Sequence, residues 1–252
     1  MEPEGAPEVA GFQQFEFALT DALIAQLVIT LDELTAAPLD VAHVAAIPDG
    51  QGVYQLILDG KVEYVGKTDT DAGLSKRLAK HAAKISGRPS LRGVVSFKAV
   101  QVLVFSAMEL ETMLIRHYKA EGAPMSWQHS GFGSNDPGRR RDKTVYKDDH
   151  FDVEHPIDID EPFALKFTEG MTLREALEAI KSPLPYTFRF ERAAALDNAT
   201  LTADFRAASV RDAIERLTPY LPTGWQVTRL PGYVIAYPEN QEYASGEVVA
   251  RS

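Results

Sequence analysis

Apolar positions gather in two short runs on either side of a polar Asp-Gly pair from Gly52 to Gly66, GVYQLILDGKVEYVG. Residues 53–58 and 61–65 are rich in β-branched, aromatic and aliphatic side chains, and Asp59-Gly60 between them is a strong hairpin signal. A two-residue turn would place Tyr54 and Tyr64 on opposite faces, because side chains alternate with period two. A three-residue loop, Leu58-Asp59-Gly60 with Gly60 left-handed in a bulge, sets Tyr54 across from Tyr64 and collects Leu56 and Val62 on the same face. The expectation is two phenols on one surface, with Lys67 just beyond them.

Helical spacing follows. Leu74, Leu78, Ala82 and Ile85 predict the buried stripe of a helix over 74–86. Arg77 and His81, four apart, share one face of it, and Lys76, Lys80 and Lys84 form a second row. Upstream, Ala22, Leu23, Gln26 and Leu27 suggest a helix within 15–34 that packs on the core. Residues 38–48 read as a short lead-in and 68–73 as a polar loop. Residues 94–105 (VVSFKAVQVLVF) read as a central strand, and Ser106 opens a helix, with Ser106 and Glu109 as its capping box. Glu111 has no such capping role.

The chain changes character after Lys147. DDHFDVEHPIDIDEP (148–162) reads as an exposed acidic linker. Beyond it, TLREALEAI (172–180) and SVRDAIERL (209–217) repeat at an offset of 37 residues, each opened by a Thr or Ser N-cap with an acid three residues later. Strand candidates at 163–168, 186–190, 199–205, 225–230 and 233–237 complete the order β-α-β-β-α-β-β, with two helices against one sheet. The organisation expected is an acidic N-terminal extension with a helix (1–37), a first domain (38–147), the linker (148–162), an accessory domain (163–238) and a loose tail (239–252). The class is α+β.

Composition narrows the function. The chain has no cysteine, which excludes disulfide scaffolds and thiolate metal sites and fits a reducing compartment. The acidic start MEPEGAPEVAG is no signal peptide, and no apolar run is long enough to span a bilayer, so a cytoplasmic protein is expected. The net charge of −10 is unevenly spread. Residues 1–60 hold ten acids and no Lys or Arg; residues 61–143 hold fifteen Lys/Arg against eight acids; residues 144–252 hold eleven against eighteen. A basic middle between acidic ends suits a phosphate-binding module, with ordinary surface variation as the alternative.

The candidate chemistry lies in that basic block. The plain alternative for Arg77 and His81 is a solvated basic face with a satisfied histidine. Glu111, one turn before Leu114 and Ile115, could bind a hard divalent cation. PMSWQHSGFGSNDPGRRRDK (124–143) joins Gly131, Gly133 and Gly138 to Arg139, Arg140, Arg141 and Lys143. Trp127 and Phe132 are interleaved, which suggests a nucleic-acid contact.

GVY at 52–54, YVG at 64–66, Lys67, the Arg77/His81 pair, Glu111, Tyr118 and PMSWQ, taken in order, resemble the GIY-YIG endonuclease superfamily. HSGFGSNDPGRRRD resembles its type II restriction branch. The resemblance covers roughly residues 38–145 and implies a three-stranded antiparallel sheet flanked by helices, with a single-metal phosphodiesterase site. It implies Tyr54 and Tyr64 at the attacking water, Tyr54 assisted by His81, and Arg77 against the scissile phosphate. Glu111 would hold Mg²⁺, with Mn²⁺ as an option, and Lys67 would either lower a phenol's pKa or contact phosphate. Lys67, Lys80, Lys84, Arg139, Arg140 and Arg141 are the expected DNA contacts. Gln128 stands where the family carries an asparagine, and it can make the same hydrogen bonds with one more methylene of reach. The C-terminal pattern is similar to the short N-terminal domain of secretins and TonB-dependent receptors.

Two functions follow from this reading. One is a metal-dependent endonuclease cutting duplex DNA in restriction or phage defence. The other is a catalytically weakened relative that binds DNA or a protein partner. DNA is the expected partner; a second copy of the chain and a protein bound by the C-terminal domain are open options, and a membrane is not expected.

Overall fold

The computed structural model describes residues 19–68, 73–103, 107–133 and 138–252, and the side chains of all of these except 19 and 107–109. Helix α1 (Leu19–Glu33) leads into strand β1 (Ala37–Pro38), helix α2 (Val41–Ala45) and the hairpin of β2 (Gly52–Leu58) and β3 (Lys61–Thr68). Helix α3 (Leu74–Ser86), strand β4 (Val95–Gln101) and helix α4 (Ala107–Ala120) follow. The sheet is antiparallel in the order β1-β4-β2-β3. It has four strands where three were expected, because Ala37 and Pro38 pair with Phe97 and Ser96. A proline is tolerated there because the strand lies at the sheet edge.

The hairpin places both phenols on one face, but by a different device from the expected loop. Asp59 and Gly60, both left-handed (φ 50° and 75°), form a two-residue turn that pairs Leu58 with Lys61. Between Leu56↔Tyr64 and Ile57↔Val62 the register shifts, leaving Glu63 as an extra residue in β3. This bulge moves Tyr64 to the face of Tyr54 and Leu56. Tyr54 is therefore opposite Gly66 rather than Tyr64. Val62 joins the other face, in the cluster of Val53 and Val65.

The two faces carry separate layers. Tyr54, Leu56, Tyr64 and Phe97 pack against Leu74, Leu78, Ala82 and Ile85, the predicted stripe of α3. Val53 and Val65 pack against Leu27, Val28 and Leu31 of α1 and Leu110, Leu114 and Tyr118 of α4. Burying apolar area at roughly 25 cal/mol per Å² holds all three layers together. The chain after α4 runs beside the outer edge of β3, where the N–H groups of Met125 and Trp127 donate to the carbonyls of Val62 and Glu63. That covers an otherwise open edge. The capping pair Ser106/Glu109, the tail 1–11 and residues 69–72 and 134–137 lie outside the described residues or side chains.

The expected exposed linker is ordered and partly buried. Helix α5 (Phe151–Glu154) sits within it, and Phe151, Asp152, Ile157 and Ile159 are buried. Phe151 joins the first domain's core and the two isoleucines the second's, so the apolar positions among the acids bind the segment to both sides. Asp152 accepts hydrogen bonds from Arg88 (2.6 Å) and Arg141, which neutralise it.

The C-terminal domain contains β5 (Leu165–Phe167), α6 (Leu173–Lys181), β6 (Thr187–Phe190), α7 (Ala195–Asn198), β7 (Phe205–Ala207) and α8 (Val210–Leu217). It ends with β8 (Gln226–Leu230), β9 (Tyr233–Tyr237) and β10 (Glu247–Arg251). Two sheets replace the single one expected: β10-β8-β9-β6 and the pair β5-β7. Helices α6 and α8, the two copies of the repeat, each touch a strand of both sheets. Thr172 and Glu175 form the full capping box; at α8, Ser209 caps Asp212 while the Asp212 carboxylate reaches back to the Ala208 N–H (2.9 Å). The expected loose tail instead supplies β10, paired with β8.

Candidate active site

The site begins at β2. Tyr54 is fully buried, and its ring lies over Gly66, where a Cβ would collide with the phenol oxygen and Cζ. The glycine of YVG thus makes room for the tyrosine of GVY. Tyr64 sits diagonally beside it, with ring centroids 6.1 Å apart. From α3, one turn apart, His81 and Arg77 reach the same point. The Tyr54 hydroxyl is 2.7 Å from His81 Nε2, and Arg77 Nε donates to the Tyr54 oxygen at 3.3 Å.

The electrostatics set the charge states. Burial pushes the Tyr54 phenol up, and the neighbouring Tyr64 and the Glu111 carboxylate add to the shift against an opposing pull from Arg77. Burial also raises Tyr64, with Arg77 opposing and Glu111 adding. His81 is pushed down to about 3 by burial, with the charges of Arg77 and Lys84 contributing. At neutral pH the imidazole is uncharged and both phenols keep their protons. Arg77 donates to the Tyr54 oxygen, and in the His81 tautomer that carries its proton on Nδ1, Nε2 accepts the Tyr54 hydroxyl proton.

A second segment closes over these groups. Phe132 stacks on His81 (4.7 Å, 16°) and meets Tyr64 edge-on (5.2 Å). The Gly133 carbonyl accepts from Arg77 Nη2 (3.3 Å), and a Cβ at Gly133 would strike the Tyr64 hydroxyl. Lys84 Nζ donates to the Phe132 carbonyl (2.8 Å) and lies over the Phe132 and Phe151 rings. Trp127 and Phe132, expected as nucleic-acid contacts, are buried in the core. Their aromatic area is worth more inside it than at the surface.

The remaining residues separate. Glu111, on α4, is half-buried and acts electrostatically on both phenols. Lys67 pairs with Val53, placing it on the opposite face of the hairpin from the phenols. Gln128 Oε1 accepts from the Val65 N–H (3.1 Å), anchoring Gln128 to the edge of β3. Arg141 is engaged by Asp152, by the Tyr146 hydroxyl (3.1 Å) and by the Tyr233 ring. Arg139 pairs with Glu191 (3.2 Å) and lies over Tyr237. Both arginines, expected on phosphate, join the two domains, while Arg140 and Lys80 are exposed. The roles of Phe132 over His81 and of Asp152 between two arginines had no sequence signal, since both depend on contacts across the fold.

Among the described residues, no group of three or more His, Asp or Glu side chains is placed to share a metal ion. A protein donor set of one carboxylate oxygen pair suits Mg²⁺, which keeps most of its waters and takes further oxygens from substrate phosphate. Glu111 fits that description. No helix among the described residues is long and apolar enough to cross a membrane. No protein-family model matches the chain, and no curated protein sequence matches it.

Proposed function

We propose that the chain is a metal-dependent phosphodiesterase that cuts DNA at the Tyr54–Arg77–His81 site, an endonuclease of the GIY-YIG kind serving restriction or phage defence. The observation that carries this reading is the Tyr54 hydroxyl held between a neutral imidazole nitrogen and a guanidinium. A neutral His81 is a base one hydrogen bond away from a phenol, so a proton taken from water by Tyr54 can pass to Nε2 in the same step. The raised phenol pKa keeps Tyr54 from standing as a free phenolate, and the relay avoids the need for one.

Arg77 supplies the electrostatic part. Its Nη2 bond to the Gly133 carbonyl is long at 3.3 Å. A phosphate oxygen in that place would make a charge-assisted and stronger bond, and would meet the charge that builds during attack. An anion there also offsets the Arg77 charge that depresses His81, raising the base's proton affinity when substrate is bound. Glu111 would hold Mg²⁺, which when bound supplies Lewis-acid stabilisation of the phosphate oxygens.

One observation favours the second reading, a DNA-binding module with weakened catalysis: Gln128 is engaged with the β3 backbone. Digestion of plasmid and phage DNA by purified protein, with Mg²⁺ or EDTA and beside Glu111→Ala, separates the two. Discrete Mg²⁺-dependent fragments lost in the variant support the endonuclease. DNA bound but never cut supports the binding module.

A further inference from the structure

Arg77, Lys80 and Lys84 follow one another along a face of α3, and Arg88 continues the series just past its end, at spacings of three and four residues. Beyond Lys80 this face enters a cleft of about 500 Å³ between the two domains. Lys80, Lys84, Arg88 and Arg141 line one side, and Lys181 of α6 lines the other. The acidic lining residue is Asp152, whose two oxygens already accept from Arg88 and Arg141. Five cations thus face one carboxylate. Burial lowers the Lys84 pKa to about 8, and Arg88 and Arg141 push in the same direction against Asp152. A concave, net-positive cleft concentrates anions.

We propose that this interdomain cleft holds the sugar–phosphate backbone of the nucleic-acid strand leaving the Tyr54–Arg77 site, with Lys181 as the C-terminal domain's own phosphate contact. The inference rests on the nuclease reading and extends it, because the C-terminal domain then completes the substrate track instead of serving only as a separate module. At about 1.5 Å rise per residue, Arg77 and Lys84 are roughly 10 Å apart along α3, so cations on this face can reach more than one phosphate of a strand. Lys181 is half-exposed, and its pairing with Glu178 is long at 3.4 Å, so it can turn to a phosphate.

The test uses the full chain. Binding to duplex DNA in EDTA is followed by fluorescence anisotropy across a KCl series for the native protein, Lys80→Glu and Lys181→Glu. Each variant is expected to bind several-fold more weakly, with the log–log salt slope reduced by about 0.9 per lost contact. Thermal melting checks that each variant is folded. Because the chain has no cysteine, Lys181→Cys supplies a single thiol. It should crosslink to duplexes carrying a thiol tether on phosphates a few nucleotides from the cut. An unchanged slope in Lys181→Glu, or no crosslink at any tether position, while Glu111-dependent cleavage persists, overturns the cleft and leaves the nuclease reading standing. Native protein that binds no DNA overturns both.

Discussion

The hydroxyl of Tyr54 on β2 lies 2.7 Å from Nε2 of His81 on α3, across 27 residues of chain and inside the protein. It joins the hairpin to the helix at the point where Arg77 also arrives. Removing either partner tests its use. Tyr54→Phe and His81→Gln are each expected to reduce DNA cleavage by about 10²–10⁴-fold, with DNA affinity largely retained. Single-turnover cleavage beside anisotropy binding checks this, and an equal fall in both would assign the pair to folding.

The same histidine should shape acid stability. Its folded pKa of about 3 lies below the ordinary value of 6.5. Between those values the unfolded chain binds a proton that the folded chain refuses, so this part of the stability is complete above about pH 6.5. It falls away as pH drops towards 3. At about 1.4 kcal/mol per unit the loss is several kcal/mol. Urea unfolding from pH 7 to pH 4 should show a steep decline that His81→Gln flattens.

Gly66 is expected to be intolerant of a side chain. A Cβ there would overlap the Tyr54 phenol, so Gly66→Ala should cost about 1–3 kcal/mol and remove cleavage by displacing the hydroxyl from His81. Chemical denaturation and a cleavage assay measure the two effects. A stable, active Gly66→Ala would mean that Tyr54 does not need its observed position.

Gln128→Asn separates two roles for one side chain. The shorter asparagine should lose the bond to the Val65 N–H and cost about 1–3 kcal/mol, with no gain in cleavage. Faster cleavage at unchanged stability would instead return position 128 to the chemistry.

Asp152→Ala leaves Arg88, which is 3 % exposed, without its carboxylate. Stranding a buried charge costs about 3–5 kcal/mol. Because Arg88 also donates to the Pro231 carbonyl (3.1 Å), the β8–β9 turn should loosen with it. Hydrogen exchange around residues 229–234 reports that directly.

Much of this architecture could be read along the chain. The stripe of α3, the apolar run of β2 and the Thr172 capping box depend on neighbours within a few residues, and the local pattern reports them. The sharing of one face by Tyr54 and Tyr64 was also legible, though not its cause. A two-residue turn with a bulge at Glu63 and a three-residue loop give the same parity at Tyr64, and they differ at Val62. Distinguishing them needs the paired strand.

The sequence alone therefore determined the hairpin, α3, the two repeat helices and the α+β class, but not β1, α5 or β10. Only the tertiary structure decided which charges meet. Arg139 and Arg141 sit in a basic run that is indistinguishable by composition from a phosphate-binding loop, yet each faces an acid and an aromatic ring from elsewhere in the chain. Asp152 sits in an acidic run that looks solvated, yet it is buried between two arginines. The physical reason is range. Backbone propensity is set within a turn of helix or a pair of strands, whereas the state of a charge depends on burial and on partners that folding brings from far along the chain.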